Sequence, residues 1–286
     1  MRAAVVGTFD GVHRGHQHLL AFLKQEAAMR GLQPLALTFD SHPLSLIDPA
    51  NVPAELTTIK QREQLLRNQG VDVVILPFNN QLRQMTAQQF LLMLRNDYNV
   101  SLFVLGFNNR IGSDRVSASS TRLQELAKAV GVEIILANEC SELQVSSSAI
   151  RQALTDGRIL CANEMLGRNY AIEGEVVTGR QLGRTIGFPT ANVQPGCNCA
   201  LPAVGVYAGK ALGHCAVINI GRRPTVEVCC NAPLSVEVFL LDFDGNLYGK
   251  QLTVEFVKRL REEKKFSSLD ELKEAIAADV CCARGL

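Results

Sequence analysis

His13 and His16, three positions apart, stand in the stretch GTFDGVHRGHQHLL (residues 7 to 20), with glycines at 7, 11 and 15 around them. On the first turn of a helix this spacing points both imidazoles the same way, so that both can donate hydrogen bonds to one phosphate group. The glycines let the backbone approach an anion closely, because no side chain intervenes. The stretch follows the apolar run Ala3 to Val6 and precedes a helical pattern starting near Arg14. A strand that ends here presents free backbone N–H groups and the positive end of a helix dipole at the carboxyl edge of a parallel sheet, where phosphates bind. Such donors suit charge developing on a phosphorus undergoing displacement. His18, in the same stretch, is read as an ordinary helix-surface histidine.

A second constellation lies in GRQLGRTIGFPTANV, residues 179 to 193. Its glycine-rich loop offers a phosphate cover, and Thr190 and Asn192 supply a hydroxyl and an amide, oxygen ligands that a hard Mg²⁺ accepts. A hairpin with glycine turns is the alternative reading of the same residues. In SVEVFLLDFDG, polar and apolar residues alternate, which reads Glu237 as an outward-facing strand residue. The segment Val145 to Arg151, VSSSAIR, has the residues of a helix N-cap.

These residues need elements to hold them. Up to about residue 155, apolar strand-like runs alternate with helical periods, the signature of a parallel sheet covered by helices. The strands are expected at Ala3–Val6, Leu35–Phe39, Val71–Leu76, Leu102–Leu105 and Val132–Leu136. Between them, Gln17 to Met29 places Leu20, Leu23 and Ala27 on one face, and Thr86 with Gln89 forms a capping box ahead of Phe90, Leu91 and Leu94. From Tyr170 the rhythm changes to short strands broken by Gly and Pro, which predicts an antiparallel barrel. Leu269, Leu272 and Ile276 after Ser267-Ser268 predict one closing helix. The expected domains are residues 1–155 and 169–286, with a helical connector over 156–168.

Bulk composition narrows the partners. With 286 residues, 47% of them hydrophobic and 20% charged, the chain is ordinary for a globular protein of about two domains. A net charge of +1 gives no basic field for nucleic acid or a membrane surface, so the expected partners are small molecules, with no nucleic acid and no membrane. No apolar run approaches the length of a membrane helix and the N-terminus lacks a signal-peptide core, so the expected location is cytoplasmic. The cysteines number nine, an odd count without a CxxC pair, and read as reduced apolar fillers; Cys197, Cys199 and Cys215 are the best, weak, metal candidates. A homo-oligomer is compatible with the sequence.

GTFDGVHRGH resembles the signature of the nucleotidylyltransferase superfamily, and Val145 to Arg151 resembles that superfamily's second motif, with serine in place of threonine. The resemblance implies triphosphate contacts from Gly7, Phe9, Asp10, Gly11, Gly15, Asn108, Ser147, Ser148 and Arg151. The PTAN segment is similar to that of riboflavin kinases, and the blocks LGRNYAIEGEVV, GVYAG, NIGRRPTV and LREEKKFSSLDEL agree. Together the halves resemble the bacterial bifunctional riboflavin kinase/FAD synthetases: an α/β Rossmann-like nucleotidylyltransferase domain with a parallel sheet, then an antiparallel β-barrel riboflavin kinase domain with a C-terminal helix.

That resemblance implies that Glu237 is the base taking the riboflavin hydroxyl proton, and that Thr190 and Asn192 hold Mg²⁺ and phosphate oxygens. Gly179, Gly183, Arg184 and Gly187 would close over the ATP co-substrate, and His42, from TFDSHP, and Arg261 would touch flavin. FMN and FAD are the implied products, with His13 and His16 serving adenylyl transfer. The chain departs from the family at Thr8, commonly Asn, and at Asn109 and Ile111, commonly aromatic; the latter two predict weaker FMN or ATP binding in the first domain. A riboflavin kinase with an impaired first domain and a flavin-binding protein without turnover are the alternatives.

Overall fold

The computed structural model describes residues 1–106, 109–137, 145–179, 187–196, 198–222 and 234–286. They form two compact units, one comprising Met1–Pro53 and Ile59–Val145, the other Ala54–Thr58 and Ser146–Leu286.

The first unit contains strands β1 (Arg2–Val6), β2 (Gln33–Phe39), β3 (Asp72–Leu76), β4 (Val100–Gly106), β5 (Arg110–Ile111), β6 (Val116–Ser117) and β7 (Glu133–Ala137). Its helices are α1 (Arg14–Met29), α2 (Leu44–Ile47), α3 (Ile59–Asn68), α4 (Asn80–Gln84), α5 (Ala87–Tyr98) and α6 (Thr121–Ala129). Five strands pair in parallel in the order β3-β2-β1-β4-β7, while β5 and β6 form a small antiparallel ribbon. All five expected strands are present, each within two residues of its expected ends.

The sheet is covered on both faces, as a parallel sheet requires. Leu20, Leu23 and Ala27 of α1 and Leu66 of α3 pack with Ala3, Val5 and Ala36 in one core layer; Phe90, Leu91 and Leu94 of α5 and Leu123 of α6 pack with Leu35, Leu37 and Phe103 in the other. Because β2 and β4 flank β1, the chain order reverses beside β1. The turn leaving Val6 therefore lies at the topological switch point, where open α/β sheets bind ligands.

In the second unit, α7 (Ser147–Thr155) and α8 (Ile159–Leu166) precede β8 (Tyr170–Val177), β9 (Ala191–Pro195), β10 (Gly205–Ala211), β11 (His214–Arg222), β12 (Leu234–Leu240) and β13 (Gln251–Arg261). These six strands close an antiparallel barrel in the order β10-β11-β12-β9-β8-β13, and α9 (Leu269–Arg284) follows. Rings fill the interior: Tyr207 meets Phe256 edge-on at 5.4 Å, and Tyr170 stacks with Phe256 at 6.3 Å. A six-stranded barrel has no room for a helix inside, so the side chains that pack with α9 mark the outer wall. Val206, Ala208, Val217 and Leu241 pack there with Ala283 of α9.

Ser268 caps α9, its hydroxyl accepting from the Glu271 amide at 3.2 Å. The expected helix is present, but its buried face is shifted. Leu269 is 64% exposed, while Asp279 and Ala283 are buried.

Thr86 and Gln89 form the expected reciprocal capping box at the start of α5, with the Gln89 amide donating to the Thr86 hydroxyl at 3.3 Å and the Thr86 amide to Gln89 Oε1 at 2.9 Å. Thr86→Ala is expected to destabilise the first unit by about 1 kcal/mol, seen as a lower urea midpoint with unchanged slope.

Candidate functional site

Residues 9 to 12 turn sharply after β1. Phe9 and Val12 both have positive φ, 48° and 38°, and the Val12 amide donates to the Phe9 carbonyl at 2.9 Å. Left-handed backbone at two side-chain-bearing residues is costly and persists where the surroundings hold it, a pattern that clusters at functional sites. The turn delivers His13 as the N-cap of α1, with its Nδ1 accepting the His16 amide proton at 3.3 Å. A neutral ring that accepts on Nδ1 carries its proton on Nε2.

The two imidazoles stack with centroids 3.7 Å apart and planes 16° from parallel, and the Phe9 ring meets His16 edge-on at 5.2 Å. The paired histidines expected at this position are thus brought together. Burial, and then the neighbouring His13, hold the His16 pKa well below the ordinary imidazole value. His16 Nδ1 is buried with no hydrogen-bond partner among the described residues. Gly15 gives close approach, since a Cβ there would lie 3.2 Å from the His13 ring and would press that ring aside by a few tenths of an ångström.

Gly7, Asp10 and Gly11 lie in the same turn, Asp10 only 4% exposed. His42 heads α2, and its Nδ1 accepts the Leu44 amide at 3.2 Å. Asn108 lies outside the described residues. Asn109 is exposed, but Ile111 is buried in the core layer that holds Phe90 and Phe103. Ile111 therefore fills the core instead of withdrawing a flat surface from a ligand.

Ser147, Ser148 and Arg151 belong to the second unit, on α7. The capping hydroxyl is that of Ser146, which accepts from the Ala149 amide at 3.1 Å. Arg151 donates to the Ala54 carbonyl within the same unit, at 2.5 Å.

The outer wall of the barrel carries the other constellation. Along β12, Val236, Val238 and Leu240 are buried, whereas Glu237 is half-buried on the other face of the strand. Register sets Glu237 directly opposite Asn219 of β11 on one side and Asn192 of β9 on the other, so the three share one row on one face. Glu237 and Thr190 line a cavity of about 300 Å³ with Phe188, Phe239 and Arg261, roofed by Leu272 and Ile276 of α9. Phe188 and Phe239 meet edge-on at 5.6 Å in its wall. The acid expected to face outward does so, and the outer face is where the cavity lies.

Arg261 ends β13 and forms a bidentate pair with the buried carboxylate of Asp279 on α9, at 2.8 and 3.1 Å. Its guanidinium also sits over the Phe266 ring, 5.5 Å from the centroid. Thr190 also borders a second hollow of about 790 Å³, lined by Pro189, Asp244, Asn246 and Tyr248. Gly179 is packed against Asn192, whose amide lies 2.1 Å from where a Cβ would stand, so any larger residue would displace that side chain. Gly187 is exposed with φ of +90°; Gly183 and Arg184 lie outside the described residues.

The sequence reading missed Asn219 and Asp279. Asn219 interrupts the apolar run CAVINIG, a signal that could have marked it. Asp279 had none, because an acid in a polar helix is ordinary until its partner is known. Among the described residues no group of three His, Cys, Asp or Glu could hold a metal ion; Cys197 of the cysteine candidates lies outside those residues. The described cysteines 161, 199, 215, 281 and 282 are free thiols, and no described helix is long and apolar enough to cross a membrane.

A family model described as FAD synthetase matches residues 1–149, and one described as riboflavin kinase matches residues 166–286. The bifunctional riboflavin kinase/FMN adenylyltransferase of Escherichia coli K12 is 39% identical, the alignment covering 98% of this chain and 90% of the relative. Its namesake in Pseudomonas fluorescens is 40% identical over 99% and 92%, and that of Bacillus subtilis 36% over 96% and 89%. A crystal structure from Streptococcus pneumoniae described as a macrolide-efflux protein superposes with a TM-score of 0.84 at 30% identity, covering 100% of this chain and 94% of that one.

The lowered His16 pKa has a definite sign. The unfolded chain takes up a proton on this residue at about pH 6.5, whereas the folded one resists it until lower pH, so stability falls as the pH drops through that range. His16→Asn is expected to flatten the decline in the urea midpoint of the first unit between about pH 7.5 and about pH 5.5, measured against the parent protein.

Proposed function

Since the chain belongs to the family of bifunctional riboflavin kinases/FMN adenylyltransferases, we propose that its two reactions are divided between the two constellations. The enzyme phosphorylates riboflavin to FMN and adenylylates FMN to FAD, with ATP as the co-substrate of both steps. Residues 169–286 carry the first step, residues 1–155 the second, and 156–168 connect them.

In the kinase half, the aromatic and aliphatic cavity under α9 suits the flavin ring, and the more polar hollow on the other side of Thr190 suits the nucleotide. The ribityl 5'-oxygen forms a bond to the γ-phosphorus, the bond to the bridging oxygen of ADP breaks, and Glu237 accepts the hydroxyl proton. The observation that carries this assignment is that Glu237 of β12 and Thr190, just ahead of β9, line one cavity. Thr190 and Asn192 would hold Mg²⁺, whose charge would offset that on the phosphate oxygens. The fit is chemical: neutral oxygen donors and no competing His or Cys cluster among the described residues suit a hard cation that takes most of its ligands from phosphates and water. Arg261 donates toward the polar edge of the flavin.

In the adenylyltransferase half, an FMN phosphate oxygen attacks the α-phosphorus of ATP and pyrophosphate leaves. No base is required, because the nucleophile is already anionic. Rate must come from alignment and from donors aimed at the reacting phosphate. The His13 and His16 imidazoles and the Phe9 backbone amide supply them within the first unit, with His42 at the flavin. The cytoplasm fits this reading, since ATP is available there and thiols stay reduced.

Glu237→Gln is expected to lower FMN formation by about 100-fold or more while FAD formation from supplied FMN persists. The double variant His13→Ala/His16→Ala is expected to do the reverse. Resolving FMN from FAD over time checks both. Parallel loss of both activities in either folded variant would contradict the division.

A further inference from the structure

Arg62 projects from α3, its residue 5% exposed, and its guanidinium bonds two different loops of the first unit. Nη1 donates to the Thr8 carbonyl at 2.8 Å and Nη2 to the Phe39 carbonyl at 2.8 Å. Thr8 belongs to the GTFDG turn, and Phe39 opens the segment that carries His42. The Thr8 carbonyl also accepts the buried Thr38 hydroxyl at 3.1 Å. Across a trans peptide the carbonyl of one residue and the N–H of the next point in opposite directions. Two donors pulling the Thr8 oxygen inward therefore turn the Phe9 N–H outward, at a residue already held at φ of 48°. Phe9 also supports the edge of the His16 ring. A guanidinium is the side chain that can reach two carbonyls at once with a fixed fork and keep its charge when buried.

We propose that Arg62 is a positioning residue for adenylyl transfer, clamping the GTFDG turn to the end of β2 so that the Phe9 amide faces the triphosphate and the two substrate-bearing loops keep their spacing. The clamp places a positive charge behind a pocket that must hold two polyanions. The proposal rests on reading the histidine turn as the adenylyl-transfer site, and the two can fail separately.

The test uses the full chain. In the parent protein, titration with pyrophosphate is expected to shift the Phe9 amide resonance. Arg62→Met, which keeps the stem and loses every donor, is expected to abolish that shift and to lower kcat for FAD formation from supplied FMN by about 100-fold, with riboflavin kinase activity unchanged. Arg62→Lys, which keeps the charge and a donor for one carbonyl, is expected to recover to within about 10-fold of the parent. A folded Arg62→Met variant within about threefold of the parent in kcat, or one that retains the Phe9 shift, overturns the proposal and leaves the site reading standing. Absence of the Phe9 shift in the parent overturns the proposal even if Arg62→Met does not fold. Persistence of FAD formation in the double histidine variant overturns the site reading itself.

Discussion

Two imidazoles face to face at 3.7 Å cannot both carry a proton without strong repulsion. That constraint governs the first unit. Burial makes the protonated form of His16 still more costly, which disfavours a doubly charged pair. Holding the pair fixes its neighbours in turn. Gly15, without a Cβ, leaves the His13 ring its place, and Phe9 stands edge-on to His16. The turn between them must accept positive φ at two residues with side chains. The cost of that backbone is offset by bonds from beyond the turn, those to the Thr8 carbonyl among them.

The second unit solves a different problem. A six-stranded barrel of this size is filled by its own side chains, here by Tyr170, Tyr207 and Phe256, and leaves no interior for a ligand. A ligand cavity must be made outside, by a helix that leans on the wall without sealing it. Helix α9 does this: Ala283 and Val280 pack close to β10 and β11, while Leu272 and Ile276 stand over the cavity. The Arg261–Asp279 pair ties the helix to the end of β13 across that gap. Such a buried pair adds little net stability over an apolar contact, and geometric definition is its better-founded role. The row Asn219, Glu237, Asn192 then lies beneath the roof because antiparallel register keeps opposed residues on one face.

Much of this was legible from the chain alone. The five parallel strands, the apolar face of α1, the Thr86 capping box and the Ser268 cap follow from periods and side-chain donors within a few residues of one another. The alternation in SVEVFLL located Glu237 on the outer face. The readings that failed are informative. Ile111 looked like a lost aromatic contact, yet it is core, because the two-residue strand β5 turns it against α5. The apolar pattern at Leu269, Leu272 and Ile276 marked the closing helix, but Leu269 itself is exposed, and the buried positions of that helix are Asp279 and Ala283.

By itself, the sequence determined which local structures form and which residue types stand in the histidine turn after β1 and along β12, since these depend on neighbours three or four positions away and on motifs carried by contiguous residues. Tertiary structure alone decided which distant groups meet. That Arg62 bonds both Thr8 and Phe39, that Asp279 pairs with Arg261, and that Asn219 stands beside Glu237 are consequences of strand order and register. A one-residue slip in register would send Asn219 and Glu237 to opposite faces of the barrel wall. Such pairings join residues whose own neighbours along the chain carry no trace of the partner.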